Sequence, residues 1–391
     1  MPVVNRIADF HAELTAWRRH LHAHPELGFE EHRTAAFVAD KLRELGVDEV
    51  HTGIAGTGVV GVLRAGSGRR SIGLRADMDA LPIREATGAA WASTSPGRMH
   101  ACGHDGHTTM LLGAAKYLAE TRNFDGTVHL IFQPAEEVGG EDSGGARMVA
   151  QGLFERFPVE AVYGLHNHPI PVGSFAVHAG PALASNDDFT FILRGRGGHA
   201  ARPHLTRDPL TAGCQLVAAL QNLVARELDP LDNAVVSVTR FHCGDASNVV
   251  AETAEVSGTV RTHRQATRER LERRLGEIAA GIGATTGVSV ELAFPRGYPP
   301  LHNHPGQAAA VAEAAAEIVG EANVDRAPAP LMAAEDFAFM LERKPGAYVL
   351  MGVGTEDCRH VHTPGYDFND EALAVGVSYW ARLVERTLPR G

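Results

Sequence analysis

Short apolar runs lying among helical segments are the feature that most constrains the fold of this chain. "TGVVGVL", "SIGLRA", "TVHLIF" and "EAVYGLH" each fit a buried strand, and one of the predicted helices follows Gly106. This alternation is typical of an α/β domain whose mostly parallel sheet is flanked by helices on both faces. The pattern returns near the C-terminus, with a helix near 306–319, the strand "AYVLMGV" and a final helix.

The alternation is interrupted between residues 187 and 294. Four strands, "DFTFILRG", "AVVSVTRF", "AEVSGTVRTH" and "VSVELAF", are arranged there around helices predicted at 207–228 and 267–282. This β-α-β-β-α-β order is that of the split βαβ, or ferredoxin-like, sandwich, a self-contained unit. The sequence therefore predicts a second domain inserted into the first.

The domain boundaries are expected where glycine and proline cluster. Gly180-Pro181 and Pro295-Arg296-Gly297 are candidate hinges. We therefore expect an inserted α+β domain at 182–295 and an α/β domain built from 1–181 and 296–391. Two domains also agree with the length of 391 residues, which exceeds the usual size of one hydrophobic core.

Charge and cysteine content narrow the possible partners and the location. The chain has 47 acidic residues against 36 Lys and Arg, a net charge of −11, which argues against nucleic acid or an anionic membrane as the main partner. Its four cysteines are too few for a disulfide framework and indicate reduced thiols. The N-terminal segment lacks the apolar core of a signal peptide, so we expect a cytoplasmic protein.

The segment "MHACGHDGHTT", residues 99–109, concentrates potential metal donors. Cys102 and His104 lie two residues apart, and His100, Asp105 and His107 are close by. Thiolates and imidazoles bind zinc-like metals, whereas carboxylates alone would indicate calcium or magnesium. A polar loop with a helix cap is the alternative explanation for this segment taken alone.

Further donors follow predicted strands of the α/β domain, where open parallel sheets build their sites. They are Asp77 and Asp79, Glu136 and Glu137, His166 and His168, and His360 and His362. Each pair alone is compatible with a turn, a cap or a buried histidine, but so many groups at strand ends indicate one site. The adjacent glutamates can divide two tasks, because one can bind metal while the other takes a proton from water activated by that metal.

Several motifs together resemble the dinuclear metal amidohydrolases of the aminoacylase and carboxypeptidase superfamily. They are "HPELGFEE", "RADMDALP", "MHACGHDGH", "FQPAEE", "GLHNHP", "GRGGHAARPH", "ASNVVAETAEVSGTVRT", "AAEDFAFM" and "HTPGYDFND". They occur in the family's order across nearly the whole chain. The branch of hippurate hydrolase and the plant indole-acetyl-amino-acid hydrolases is the most similar. The resemblance implies a zinc-exopeptidase-like catalytic domain with an inserted satellite domain that also forms the dimer contact.

The resemblance also implies roles in the catalytic domain. Glu136 would be the general base, and Asp77 would orient it. Arg75 occupies the position at which the wider superfamily has a metal-binding histidine. Cys102 and His104 would therefore bind the metal instead. We expect two divalent ions per chain (Mn2+, Zn2+ or Ni2+), since a thiolate favours zinc or nickel while the branch is associated with manganese. The implied ligands, with Cys102 as the bridge, are Cys102, His104, Glu137, His166 and His362, in preference to His168 and His360.

In the satellite domain the resemblance implies that His199 donates a hydrogen bond to the oxyanion, in its own chain's site or across a dimer interface. Asn248 and Arg261 would hold the free carboxylate of the substrate. The alternative is that these residues are ordinary turn and strand residues without a catalytic role. Glu335 and Asp336 are expected to border the site without an assigned role.

The leading hypothesis is a metal-dependent hydrolase that cleaves the amide of an N-acyl-amino acid, such as an N-acetyl or N-benzoyl compound. Its small-molecule substrate would be processed by a homodimer or homotetramer built through the satellite domain. A metallo-dipeptidase or aminopeptidase is the alternative enzyme. A non-catalytic metal-binding protein on the same fold is less favoured, because such a protein would be expected to lose Glu136.

Overall fold

The computed structural model describes residues 4–355 and 360–391, so Cys358 lies outside the described residues. The helices are α1 (Asn5–Ala8), α2 (His11–Ala23), α3 (His32–Glu44), α4 (His104–Thr121), α5 (Gly144–Ala150), α6 (Leu153–Arg156), α7 (Pro209–Asn222), α8 (Gln265–Thr286), α9 (Pro305–Val319), α10 (Phe337–Leu341) and α11 (Leu373–Thr387).

Strands connect these helices along the chain. They are β1 (Glu49–Ile54), β2 (Gly58–Ala65), β3 (Ser71–Asp77), β4 (Gly126–Gln133), β5 (Ala161–His168), β6 (Phe175–Ala176), β7 (Gly180–Leu183), β8 (Asp187–Arg194), β9 (Gly198–His199), β10 (Ala234–Cys243), β11 (Val249–Val250), β12 (Thr253–Thr262), β13 (Ser289–Ala293), β14 (Leu301–Asn303), β15 (Val324–Asp325) and β16 (Gly346–Gly352).

The chain divides into two compact units. The first consists of Met1–Ala182, His302–Ala329 and Asp336–Gly391, and the second of Leu183–Leu301 and Pro330–Glu335. The sequence placed the boundaries at 181/182 and 295/296 and did not foresee that residues 330–335 return to the second unit. Those six residues are too few to show the hydrophobic periodicity of a helix or a strand, so the sequence gives no sign that they belong to the second unit.

The first unit is built on an eight-stranded sheet in the order β1-β2-β4-β3-β5-β16-β6-β15. Its central strands β4, β3, β5 and β16 run parallel, and β2 and β1 join the edge in antiparallel fashion. Every residue of β16 is buried, as is typical of a parallel strand covered on both faces. This sheet and its flanking helices confirm the predicted α/β fold class.

The second unit contains an antiparallel sheet in the order β13-β8-β12-β10. Residues of β8 alternate between buried and accessible positions, so one face packs against α7 and α8. This arrangement is the predicted split βαβ sandwich. The first predicted helix ends earlier than expected, because α7 passes into a π-helical turn at Leu223–Glu227, and α8 extends beyond both predicted ends.

No helix in the described ranges is both long enough and apolar enough to span a membrane.

One local prediction is wrong: α4 begins at His104 rather than after Gly106. The reason is that Gly103, directly before the helix, has a φ of +94°, a left-handed conformation that glycine adopts readily. A Cβ at this position would lie 2.1 Å from the Asn167 side chain, so only glycine fits there.

Candidate metal centre

The candidate site lies where the central strands of the first unit end. Asp77 is the last residue of β3, the Glu136–Glu137 pair follows β4, and His166 lies near the end of β5. Parallel strands have their carboxyl ends at one sheet edge, so these side chains converge although they are far apart in the sequence.

Within the described residues, several groups place one donor atom each within 4.8 Å of the others. Four of them are Cys102, His104 and His166; Cys102, Glu137 and His362; His104, Glu136 and Glu137; and Asp77, His104 and His107. All five ligands expected from the sequence occur in these groups. Cys102 belongs both to the group with two histidines and to the group with Glu137 and His362, which is the position a bridging ligand requires.

Hydrogen bonds fix His104 in the orientation of a metal ligand. Its Nδ1 lies 2.9 Å from the backbone oxygen of Asp79 and 3.2 Å from Asp79 Oδ1. Nδ1 therefore donates, and Nε2, buried without a hydrogen-bond partner among the described residues, is the atom at which a cation would take the place of a proton. A histidine whose other nitrogen donates to a carboxylate or carbonyl is the usual form of a metal-binding imidazole.

His166 shows the same arrangement, whereas His107 does not. Nδ1 of His166 lies 2.7 Å from the backbone oxygen of Asn167, and its Nε2 lies 3.4 Å from Cys102 Sγ. His107 uses both ring nitrogens, at 2.6 Å from Asp77 Oδ1 and 2.6 Å from the Asn167 side chain. The Nε2 of His104 is unpaired among the described residues and that of His166 contacts another potential donor, Cys102 Sγ, so both are favoured over His107 as ligands.

Glu137 and His362 approach each other as two ligands of one cation would. His362 Nε2 lies 3.1 Å from Glu137 Oε1, yet that oxygen has no hydrogen bond within the described part of the chain. His362 has a φ of +61° and is held by its N–H, which donates to the Ala101 backbone oxygen at 2.7 Å. A left-handed conformation at a residue other than glycine is strained and is typical of functional positions.

Two carboxylates hold the turn that carries the glutamate pair. Ala135, directly before Glu136, has a φ of +53°, and its N–H donates to Glu31 Oε1 at 2.8 Å. The N–H of Glu137 donates to Asp79 Oδ2 at 2.9 Å. The sequence analysis named Asp79 only as a potential metal donor and gave Glu31 no role, although both lie in motifs that the resemblance rests on.

Arg75, which replaces the superfamily's histidine, is fully buried in an ion-pair network. Its guanidinium donates to Gln133 Oε1 at 2.9 Å, to Asp77 Oδ2 at 2.7 Å and to Asp336 Oδ1 at 2.9 Å. Burial opposes the charge of Asp77, but the neighbouring histidines and Arg75 keep its pKa well below the usual range. The network gives Asp336 a structural role that the sequence left open and explains why position 75 offers no metal ligand.

The first turn of α4 is held by a second buried network. Asp105 Oδ2 lies 2.8 Å from His22 Nδ1 and 3.7 Å from the Arg18 guanidinium. Burial opposes protonation of His22, yet its hydrogen bonds to Asp105 and Glu85 raise its pKa to about 9. Asp105 is thus an anchor for the helix that begins at His104, and its position within "CGHDGH" is explained without metal binding.

The residues present fit a divalent cation. Burial raises the pKa of the Cys102 thiol well above its usual range, and Glu137 and Glu136 add to this effect. Although burial opposes protonation of His104, Asp77 and Asp79 raise its pKa to about 10. These shifts reflect an excess of buried negative charge, which bound cations would neutralise. The thiolate and imidazole donors suit zinc-like metals more than magnesium or calcium.

The remaining predicted residues lie in the second unit. Strand β9, which contains His199, pairs with β11, and the N–H of Ala200 donates to the backbone oxygen of Asn248 at 3.0 Å. His199 Nδ1 accepts a hydrogen bond from the Ala201 N–H at 3.0 Å. Arg261 lies on β12, opposite Val235. Glu335 is buried and is the last residue assigned to the second unit, whereas the next residue, Asp336, is assigned to the first.

Comparison with known proteins identifies relatives along the whole chain. The model of Peptidase family M20/M25/M40 matches residues 73–386. The hippurate hydrolase of Campylobacter jejuni is 41% identical and covers 99% of this chain and 100% of its own length. The N-acetylcysteine deacetylase of Bacillus subtilis is 39% identical, with 96% of each chain covered. The crystal structure of a dinuclear metal binding M20 peptidase from Bacillus subtilis superposes with a TM-score of 0.84 at 35% identity, covering 97% of this chain and 99% of that one.

Proposed function

Because the chain belongs to Peptidase family M20/M25/M40 and is a metal-dependent amide hydrolase, we propose that its substrates are N-acyl-amino acids. The products are a carboxylic acid and a free amino acid. Hippurate and N-acetylcysteine, the compounds in the names of two relatives, share this chemistry and differ in the acyl group. The proposal therefore specifies the substrate class and leaves the acyl group to experiment.

The residues that would hold the two cations are Cys102, His104, Glu137, His166 and His362, of which Cys102 would be shared by both. The free Nε2 atom of His104 and the unbonded Oε1 atom of Glu137 support this assignment. When bound, the divalent cations supply a Lewis acid that lowers the pKa of water and polarises the scissile carbonyl. We propose zinc, nickel or manganese as the metal.

Glu136 is the proposed general base. The main support for this role is its position directly beside Glu137, a proposed metal ligand. Asp79 fixes the backbone of Glu137, and Glu31 fixes that of Ala135, so the Glu136 backbone is held from both sides. Glu136 takes a proton from the attacking water and passes it to the leaving nitrogen as the C–N bond breaks. Asp77 is proposed to support this geometry through its histidine and arginine partners.

The second unit supplies the proposed recognition groups. His199 donates to the developing oxyanion, and Asn248 and Arg261 bind the free carboxylate of the substrate. We further propose that this unit forms a homodimer or homotetramer, and that the enzyme acts in the cytoplasm, where its cysteines stay reduced.

The test is hydrolysis of a panel of N-acetyl-, N-benzoyl- and indole-acetyl-amino acids, with dipeptides as the competing class and manganese, zinc or nickel added. Glu136→Gln should retain two metal ions per chain and lose most turnover, because an amide cannot accept the proton. Its matched control, Glu137→Gln, should lose metal as well. Equal metal loss in the two variants would contradict the division of roles, and faster hydrolysis of dipeptides would favour a peptidase.

A further inference from the structure

His107 lies where two central strands of the first unit's sheet separate. The last paired residues of β3 and β5 are Arg75 and Gly164, although both strands continue toward the metal donors. The imidazole of His107, in the first turn of α4, takes the place of the missing pairing. It lies 2.6 Å from Asp77 Oδ1 at the end of β3 and 3.1 Å from the backbone nitrogen of Asn167 in β5. His107 is therefore a bridge between the two strand ends.

The direction of each hydrogen bond follows from the partners of His107. The backbone N–H of Asn167 can only donate, so His107 Nε2 accepts and Nδ1 donates to Asp77 Oδ1. The Asn167 side chain ends 2.6 Å from the same Nε2, and it must therefore face this nitrogen with its NH2 group. With the amide oxygen there instead, the NH2 group would be buried without a partner among the described residues. Nε2 thus holds Asn167 by both its backbone and its side chain.

Asn167 in turn orients a proposed metal ligand. Nδ1 of His166 donates to the backbone oxygen of Asn167 at 2.7 Å, while its Nε2 lies 3.4 Å from Cys102 Sγ. The ring of His107 also packs edge-on against that of His166, with 4.6 Å between the ring centres. His107 therefore contacts His166 directly and also holds the residue that supplies its hydrogen-bond acceptor.

We propose that His107 is a positioning residue for His166, and that it acts through the contacts of its Nε2 with Asn167. The inference rests on the metal ligands proposed above and adds a residue whose two ring nitrogens are already occupied. His107, Asp77 and Asn167 are all buried, so a smaller side chain at position 107 leaves Asn167 without the partner that fixes it. Removing a group that holds a metal ligand typically weakens metal affinity about 10- to 100-fold.

Two substitutions separate the roles of the two ring nitrogens. The amide of His107→Asn reaches the position of Nδ1 and keeps the bond to Asp77. The amide of His107→Gln reaches the position of Nε2 and keeps the contact with Asn167. The affinity for zinc is measured by titrating the metal-free protein with zinc against a competing chelator, in the absence of substrate.

We expect His107→Ala and His107→Asn to lose affinity for one of two zinc ions about 10- to 100-fold. His107→Gln should bind both ions as the native protein does. Equal zinc affinity in His107→Asn and His107→Gln would overturn the proposal, because the Nε2 contacts would then not matter.

The matched control is His129→Ala, which removes another buried histidine of the first unit, in the middle of β4. It should bind zinc as the native protein does. A loss of affinity equal to that of His107→Ala would also overturn the proposal, since zinc affinity would then follow the stability of the unit alone.

His166→Ala separates a failure of this inference from a failure of the proposed metal ligands. If this variant loses one ion while His107→Ala keeps native affinity for both, the positioning role of His107 is wrong and the ligands stand. If His166→Ala keeps native affinity for both ions, His166 is not a ligand and the positioning role is wrong with it.

Discussion

Replacing Glu31 should reveal how much the turn before Glu136 depends on one buried carboxyl. Glu31 is fully buried; its Oε1 accepts from the N–H of Ala135 at 2.8 Å and its Oε2 from Thr57 Oγ1 at 2.6 Å. Glu31→Ala leaves both donors buried and unpaired, at about 1–3 kcal/mol each. We expect the free energy of unfolding to fall by about 3–5 kcal/mol at pH 4.5, where the ionisation of Glu31 does not yet offset this loss.

Turnover should fall as well, because Ala135 loses the contact that stabilises its left-handed backbone, and Glu136 follows it directly. We expect kcat to decrease more than KM changes, with metal content retained. Glu31→Gln is the matched control, since its amide oxygen can still accept from Ala135. Native kcat in Glu31→Ala would refute the positioning role.

The difference in stability between Glu31→Gln and the native protein should depend on pH. Burial, with a further contribution from Asp79, raises the pKa of Glu31 from 4.5 to about 7. The folded state therefore binds a proton more tightly than the unfolded state, and this carboxyl destabilises the fold increasingly as pH rises from about 4.5 to 7. At about 1.4 kcal/mol per pKa unit, the full effect is roughly 3 kcal/mol.

Glu31→Gln removes this contribution, so its stability relative to the native protein should improve by roughly that amount between pH 4.5 and pH 8. Urea unfolding of the chelator-treated protein, followed by tryptophan fluorescence, measures it. Trp17, Trp91 and Trp380 all lie in the first unit and so report on the unit that contains Glu31. A difference independent of pH would show that Glu31 is ionised throughout.

Three further outcomes are expected. Cys102→Ala should lose at least one of two metal ions, and full occupancy by elemental analysis would remove Cys102 from the ligand set. Asp79→Asn should weaken metal affinity about 10- to 100-fold, because it removes the negative charge beside His104 Nδ1 and one of the two carboxylate oxygens that hold His104 and the Glu137 N–H; a competitive chelator titration measures this, and unchanged affinity would contradict it. N-acyl-amino acid amides should be much poorer substrates than the free acids, and Arg261→Ala should narrow the gap by harming only the acids, as kcat/KM for each pair would show.

The fold and the donor set follow from patterns that a sequence displays directly. Apolar runs such as "TVHLIF" mark buried strands, and donors placed just after such runs meet because parallel strands end at one edge. Glu137, just after β4, and His166, near the end of β5, are placed in this way, whereas Cys102 meets His166 across 64 residues from its position before α4. The resemblance to a known family was needed to choose between alternatives such as His166 and His168.

The supporting contacts could not be read from the sequence. Glu31 lies 104 residues from Ala135, and Arg75 lies 261 residues from Asp336. Each pair joins segments with no shared periodicity, so only the packed structure brings them together. The same holds for Asp105, whose carboxylate resembles a metal donor in the sequence but binds His22 in α2.

The division of the first unit into three stretches of chain has a consequence for synthesis on the ribosome. Strand β16, which pairs with β5 near the middle of the sheet, and His362 both lie in the last stretch. At about 5–20 residues per second, tens of seconds separate the emergence of Cys102 from that of His362. During that interval the nascent chain exposes a thiol and two histidines without their final partners, and the proposed ligand set is complete only after His362 has emerged.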